Sequence, residues 1–373
     1  DWSSDVCSSD LRRSGADAAL DHGPSDLVRA EMRPPQMLNE LCRMSARVGR
    51  NILLVQGAGG NSSVKEDDVL WVKASGTWLA DAEDKDIFVP VALSAARAAL
   101  AQGDERVPLA PDAGTTLRAS IETSLHALMP HRIVLHVHSV NTIAWAVRSD
   151  ARDEFARRLD GLAWRYLDYH HPGLPLARAV GEVIARDAID VLILGNHGLV
   201  VGATTCDAAE ALVAEVEKRL ALEQRRAPAA DHDALRRICA GTIYRLPRDP
   251  RGHDIATDRY SRAIATAGSL YPDHVVFLGP GLPVLEPHES LNVRTAETIA
   301  IGLPPPVALL VPDVGSLIRE DASDGAEAML SCLALVTSRL PLTARVNYLT
   351  AENEHALLNW DAERYRRQLT ADR

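Results

Sequence analysis

Apolar positions recur along residues 37–48 at Met37, Leu41, Met44 and Val48, a 4-3-4 spacing that lines one face of a helix, and Gly49 closes it. The pattern changes at Gly57-Ala58-Gly59-Gly60-Asn61, where a glycine-rich loop is expected. Val69-Leu70-Trp71-Val72-Lys73 then reads as a strand running into Ala74-Ser75-Gly76. Residues 115–129 predict a helix ended by Pro130, and residues 132–138 a strand rich in β-branched and apolar side chains. A helix over 176–188, a buried strand over 191–194 and a second strand over 198–202, entered through Asn196-His197, follow in quick order. Leu212, Val213, Val216 and Leu220 form a helical stripe that fades into the charged, alanine-rich stretch 223–233, so a boundary between two lobes is expected near 230. Beyond it, Val275-Val276-Phe277-Leu278 before Gly279-Pro280-Gly281, and residues 307–311 before Pro312, predict two strands; 324–335 predicts a helix. The order of elements predicts an α/β protein with a main domain over 34–229 and a smaller C-terminal α/β lobe over 230–373.

Hydrophobic residues make up 46% of the 373 positions and charged residues 24%, which excludes wholesale disorder and fibrous architectures. A formal charge of −11 gives no global attraction for nucleic acid or an anionic membrane. An anionic substrate must therefore be captured locally, by a metal or a loop. The longest apolar run, 191–194 followed by 199–201, is too short to span a bilayer. Five cysteines, at 7, 42, 206, 239 and 332, show no paired spacing. That argues against a disulfide framework and for a reducing, cytoplasmic setting without a signal peptide. Residues 1–33 are set aside as an unreliable or disordered tail, because DWSSDVCSSDL at its start reads as the in-frame translation of a sequencing adapter.

His136 and His138 stand two apart on a predicted strand, so both imidazoles leave the same face. The spacing alone is weak, since 13 histidines in 373 positions give such a pair by chance in roughly half of chains. His197 sits at the mouth of another strand, where Gly198 permits close backbone approach; the plainer alternative is a turn histidine bonded to its neighbours. Three neutral imidazoles with an open position make a catalytic zinc pattern. Glu122 lies on the predicted helix just before the histidine strand, with His126 one turn later on the same face in a packing or supporting place. A solvated surface carboxylate is the commoner fate of a glutamate, whereas a carboxylate beside a metal suits proton transfer. The segment Gly57 to Ser63, with Gly59, Gly60 and Asn61 at its centre, offers unhindered N–H groups and short donors, either as an anion nest or as a plain glycine turn. It has neither the Lys-Ser/Thr of a P-loop nor the third glycine of a dinucleotide fingerprint, which rejects a nucleotide site. Lys73, Ser75 and Gly76 complete the same pocket from the other side, with Lys73 either supplying positive charge or standing on the surface.

Together, Gly57 to Ser63, Lys73 to Thr77, Ser120-Ile121-Glu122-x-x-x-His126, His136-x-His138 and Asn196-His197-Gly198 resemble the class II aldolase/adducin family in order and spacing, over about residues 37–225. The Ser-Ile-Glu-Thr-x-Leu-His form is most similar to the aldolase half of rhamnulose-phosphate aldolase/dehydrogenase-type proteins. The resemblance implies a three-layer α/β/α domain around a mainly antiparallel sheet, assembled as a homotetramer with active sites at subunit interfaces. It implies zinc, or another divalent metal, on His136, His138 and His197. The implied reaction is retro-aldol cleavage of a sugar or sugar phosphate through a metal-stabilised enediolate, with Glu122 as acid/base. Asn61, Ser75, Gly76 and Ser120 match the family's phosphate-pocket positions, whereas Ile121 stands where the fuculose-phosphate type has a second serine. Epimerases, dehydratases and decarboxylases of the family share this chemistry, and adducin-like members use the domain as a binding module. The region beyond 230, including Tyr271-Pro272-Asp273-His274, is assigned no chemistry.

Overall fold

The first helix, α1 (Leu38–Gly49), forms as its spacing predicts, with Leu41, Met44 and Val48 buried on its inner face. The computed structural model describes residues 37–111, 113–361 and 363, so the tail over 1–33 lies outside the described residues. Seven strands make the main sheet: β1 (Asn61–Glu66), β2 (Val69–Lys73), β3 (Phe88–Ala92), β4 (Ile133–Val137), β5 (Trp164–Leu167), β6 (Val191–Leu194) and β7 (Gly198–Ala203). Their order is β3-β2-β1-β4-β7-β6-β5, antiparallel throughout except for the β5–β6 pair. The register of β1 on β4 sets Asn61 opposite His136.

Alternation along β4 divides the core into two layers. Ile133, Leu135 and Val137 join α1 and a later helix bearing Val213 and Val216. Val134 joins Leu192, Leu194 and Val200 under two other helices, which contribute Leu125, Leu176 and Val180. Those helices are α2 (Thr123–Leu128), α4 (Leu174–Ile184) and, on the first side, α5 (Cys206–Leu220), with α3 (Val140–Ala146) following β4. The result is an α/β/α arrangement around a mainly antiparallel sheet, and His136 shares the parity of Val134.

The helix expected over 115–129 is confined to α2. The stretch before it runs along the end of β2 instead of coiling: Ala119 bridges Ala74, Ser75 N–H donates to Arg118 O, and Ser120 N–H donates to Lys73 O. The strand expected at Val275 to Leu278 is the body of α6 (Pro272–Leu278), all seven residues of which are buried. A short apolar run buried on every side carries no periodicity, so a helix turn and a core strand look alike; Pro272, at the first helical position, marks the difference. The strand expected at 307–311 and the helix expected at 324–335 do form. They are β9 (Ala308–Val311), between β8 (Tyr244–Arg245) and β10 (Gly315–Arg319) in sequence, and α7 (Asp324–Thr337). The three strands make a second sheet in the order β8-β10-β9, and α8 (Ala351–Asn359) closes the described chain.

A second core joins the regions before and after residue 230: Val140, Ile143, Ala144 and Val147 pack with Ile255, Val275, Met329 and Leu333. The contacts place both regions in one compact unit. Among the described residues, no helix is long and apolar enough to cross a membrane.

Candidate metal centre

Successive even positions carry His136 and His138 out of the end of β4 on one face, and the β6–β7 turn brings His197 to them. The ring centroids lie 4.9 Å (His136–His138), 5.0 Å (His136–His197) and 5.2 Å (His138–His197) apart, and all three side chains are buried. One nitrogen of each lies within 4.8 Å of the others. His138 Nε2 stands 3.2 Å from His136 Nε2. His136 Nδ1 donates to Leu199 O at 3.0 Å, which fixes the tautomer and leaves the Nε2 lone pair facing the cluster. Burial lowers the pKa of His136 further than Glu122 raises it, and in the same way brings His197 down to about 3. Both rings are therefore neutral at physiological pH, the form in which imidazole binds a metal.

The turn that carries His197 depends on two local features. Asn196 adopts φ +53°, a conformation asparagine tolerates, and its Nδ2 donates to Leu270 O at 2.9 Å and Asn347 O at 2.8 Å. At Gly198 a Cβ would lie 2.6 Å from Val137 O, so only glycine lets this turn close on β4.

Glu122 sits at the N-cap of α2 rather than within a helix, and it is buried. Its Oε1 is 3.3 Å from His197 Nε2 and its Oε2 is 3.4 Å from His136 Nε2. Asn61 Nδ2 donates to Glu122 Oε2 at 2.8 Å and to Ser120 Oγ at 3.2 Å. With that amide committed, Asn61 Oδ1 accepts from His126 Nε2, and His126 Nδ1 accepts from Ser63 Oγ at 2.7 Å. His126 thus supports the site at one remove, as its place on the helix face suggested. Burial pushes the Glu122 carboxyl up, but the facing imidazoles and the Asn61 amide outweigh it and hold it at about 2, ionised. Burial, reinforced by Lys65, lowers His126 to about 3, so it is the neutral ring this chain of bonds requires.

A small pocket of ≈ 20 Å³ lies over the cluster. Gly59, Gly60, Asn61, Lys73, Ser75, Gly76, Ser120, Glu122, His138 and His197 all line it, while His136 is fully buried behind them. Three of the seven residues from Gly57 to Ser63, namely Asn61, Ser62 and Ser63, are in fact in strand β1, because they complete the ladder with β4. The Ser62 hydroxyl is paired with Ser45 at 2.7 Å and that of Ser63 with His126, so neither is left for an anion. Gly60, at φ +63°, has room for no Cβ, which would fall 2.9 Å from His136 O. Lys73 is buried rather than on the surface, and its Nζ donates to Ala58 O (3.2 Å), Ala74 O (3.4 Å) and Thr77 O (2.6 Å), tying the two loops of the pocket together. Pro272, Asp273 and Glu363, from beyond residue 230, complete the wall. Asp273 Oδ2 stands 3.0 Å from His138 Nδ1. The signal for it, an acidic residue just after a helix-starting proline, was unreadable while the following residues read as a strand. His274 has a folding role: its Nδ1 accepts from Leu270 N–H at 3.2 Å.

Residues 39–223 match the family model described as the Class II Aldolase and Adducin N-terminal domain. That domain of the chain belongs to this family. A Bacillus subtilis (strain 168) protein described as the uncharacterized oxidoreductase YuxG is 27% identical over 190 residues, an alignment taking in 46% of this chain. The chain spans only 27% of that relative's length. Among solved structures, the N-terminal class II aldolase domain of a conserved protein from Thermoplasma acidophilum is 26% identical with a TM-score of 0.43, covering 51% of this chain and 95% of that one. YgbL from Klebsiella pneumoniae, titled a putative aldolase/epimerase/decarboxylase, is 19% identical with a TM-score of 0.37, covering 50% of this chain and 86% of that one. The aldolase-family domain therefore contributes every residue of the histidine cluster and Glu122, whereas Asp273 and Glu363 come from outside it.

Proposed function

We propose that the chain is a divalent-metal-dependent aldehyde-lyase that cleaves a sugar or sugar phosphate by a retro-aldol reaction. The observation that carries this reading is Glu122: an ionised, buried carboxylate within 3.4 Å of the Nε2 atoms of two ligand-type histidines. Three imidazoles facing one another fit Zn2+ or a similar ion, held by His136, His138 and His197. Bound there, the ion supplies Lewis-acid charge for an electron-rich oxygen of the substrate. Cleavage also requires that a proton leave the hydroxyl beside the breaking carbon–carbon bond and that one reach the carbon left behind; Glu122 is the group placed to carry it. Ser120 Oγ accepts from Asn61 Nδ2 and from Glu122 N–H, so its own proton is directed outward as a donor to a substrate oxygen. Ser75 and the backbone N–H groups of Gly60 and Gly76 add small, unhindered polar contacts for a polyol or phosphate end. A cytoplasmic homotetramer goes with this reading, and light scattering on purified protein tests the assembly.

The test pairs metal content with a cleavage screen over sugars and sugar phosphates. About one divalent ion per chain and release of two carbonyl products are expected. A sugar of unchanged carbon number as product would place the enzyme with the epimerases. In Glu122→Gln, turnover should fall by ~10²–10⁴-fold with metal content unchanged. Activity within a few-fold of wild type would remove Glu122 from the reaction, and loss of metal would make it a ligand.

A further inference from the structure

The metal reading leaves one feature unexplained, the carboxylate of Asp273. It lies in α6, beyond the end of the family-matched segment, and is buried. Its Oδ2 stands 3.0 Å from Nδ1 of His138, while Nε2 of the same ring faces His136. Gly59 bears independently on this contact. A Cβ there would lie 2.7 Å from His138 Nδ1 and 3.0 Å from Asp273 Oδ2, so only a residue without a side chain leaves room for the pair.

The surroundings present Asp273 in a fixed place. Tyr271 is extended, Pro272 occupies the first helical position, and Leu270 N–H donates to His274 Nδ1, closing the turn that starts α6. Leu270 O accepts from Asn196 Nδ2, beside His197. The turn that bears one histidine of the cluster is thus bonded to the turn that presents a carboxylate to another.

We propose that Asp273 is a positioning residue of the metal centre. With an ion on Nε2 of His138, Asp273 would accept the Nδ1–H across this 3.0 Å contact, fix the tautomer and tilt of that imidazole and strengthen it as a ligand. The proposal rests on the metal reading of the histidine cluster. It makes the C-terminal region a working part of a centre whose histidines all lie in the aldolase-family domain.

The experiment compares full-length wild type, Asp273→Asn and Gly59→Ala, measuring Zn2+ affinity by competition with a chromogenic chelator and the visible spectrum of the Co2+ form. Asp273→Asn should bind Zn2+ about 10–100-fold more weakly and give a changed Co2+ spectrum, while its metal-free form unfolds near the wild-type temperature. Gly59→Ala should shift affinity in the same direction. Zn2+ affinity within twofold of wild type together with an unchanged Co2+ spectrum in Asp273→Asn would leave the residue a packing role and overturn the proposal. Should that variant fail to fold, Gly59→Ala decides: an unaltered affinity overturns the proposal and a loss of about tenfold upholds it. A wild type that takes up no metal would instead overturn the underlying metal reading, a result distinct from all of these.

Discussion

Asn61 shows how much one side chain can organise. Its amide nitrogen donates to Glu122 and Ser120 while its oxygen accepts from His126, so one side chain ties the carboxylate to its neighbours. A hydrogen bond to a charged, buried group contributes about 1.5–3 kcal/mol. Asn61→Ala is therefore expected to lower turnover by about 10–100-fold with metal content retained. Because the effect runs through Glu122, it should shrink strongly in a Glu122→Gln background, a coupling that a double-mutant cycle of turnover rates measures. Additive losses would show that Asn61 acts elsewhere. At this scale the sequence was informative about which residues converge and less so about how. His136, His138, His197, Glu122 and Asn61 meet as their order suggested. The hydroxyls of Ser62 and Ser63 were misjudged as available donors, because the strand pairing that turns them toward Ser45 and His126 involves partners distant in the chain.

β1 carries one buried titratable group, Lys65, well placed for a test by pH. Lys65 Nζ donates to His131 O at 2.8 Å, and burial, with Arg97 adding to it, lowers its pKa to about 7. The unfolded chain keeps this lysine protonated up to about pH 10.4, so between that value and neutrality the unfolded state holds more protons than the folded state. Folding stability therefore rises with pH across this window and is lowest, for this group, at and below neutrality. Lys65→Met removes the titration. The melting temperature of wild type relative to Lys65→Met should move in favour of wild type on going from pH ~7 to ~9.5. A constant difference would mean that the ammonium is well solvated in the folded chain. Among the elements, legibility followed periodicity. α1 was readable because it buries one face only; the histidine strand, buried on both faces, was readable from its run of apolar and β-branched residues. α6 was not, since Val275 to Leu278 are enclosed on all sides. Residues 115–121 escaped as well, because their backbone bonds to the end of β2, which no local pattern announces.

At the scale of the whole molecule, the second core argues against treating the family-matched segment as self-sufficient. Val140, Ile143 and Ala144 of α3, and Val147 after it, are covered by residues from 255 onward, and removing that cover would expose a contiguous apolar face. A chain ending at residue 229 is expected to be aggregation-prone and to melt well below the full chain, as light scattering and thermal unfolding would report. A soluble, cooperatively melting fragment with full Zn2+ affinity would show that the first region stands alone. The sequence placed a boundary near 230 from a charged, alanine-rich stretch, but it had no means of showing that α3 is shared between the two sides, because that contact is set by packing across a long separation.

The bonds from Asn196 to Leu270 and to Asn347 also order events in time. The second spans 151 positions, so while the chain is being synthesised the histidines are complete long before the segment that braces their turn has emerged. Loop closure over so long a span comes late in folding. The nascent protein thus passes through a stage in which all three histidines exist but the His197 turn is unbraced, and an ion captured then would meet a looser, less discriminating cage. Under the metal reading, faithful loading waits until residue 347 has folded onto the His197 turn.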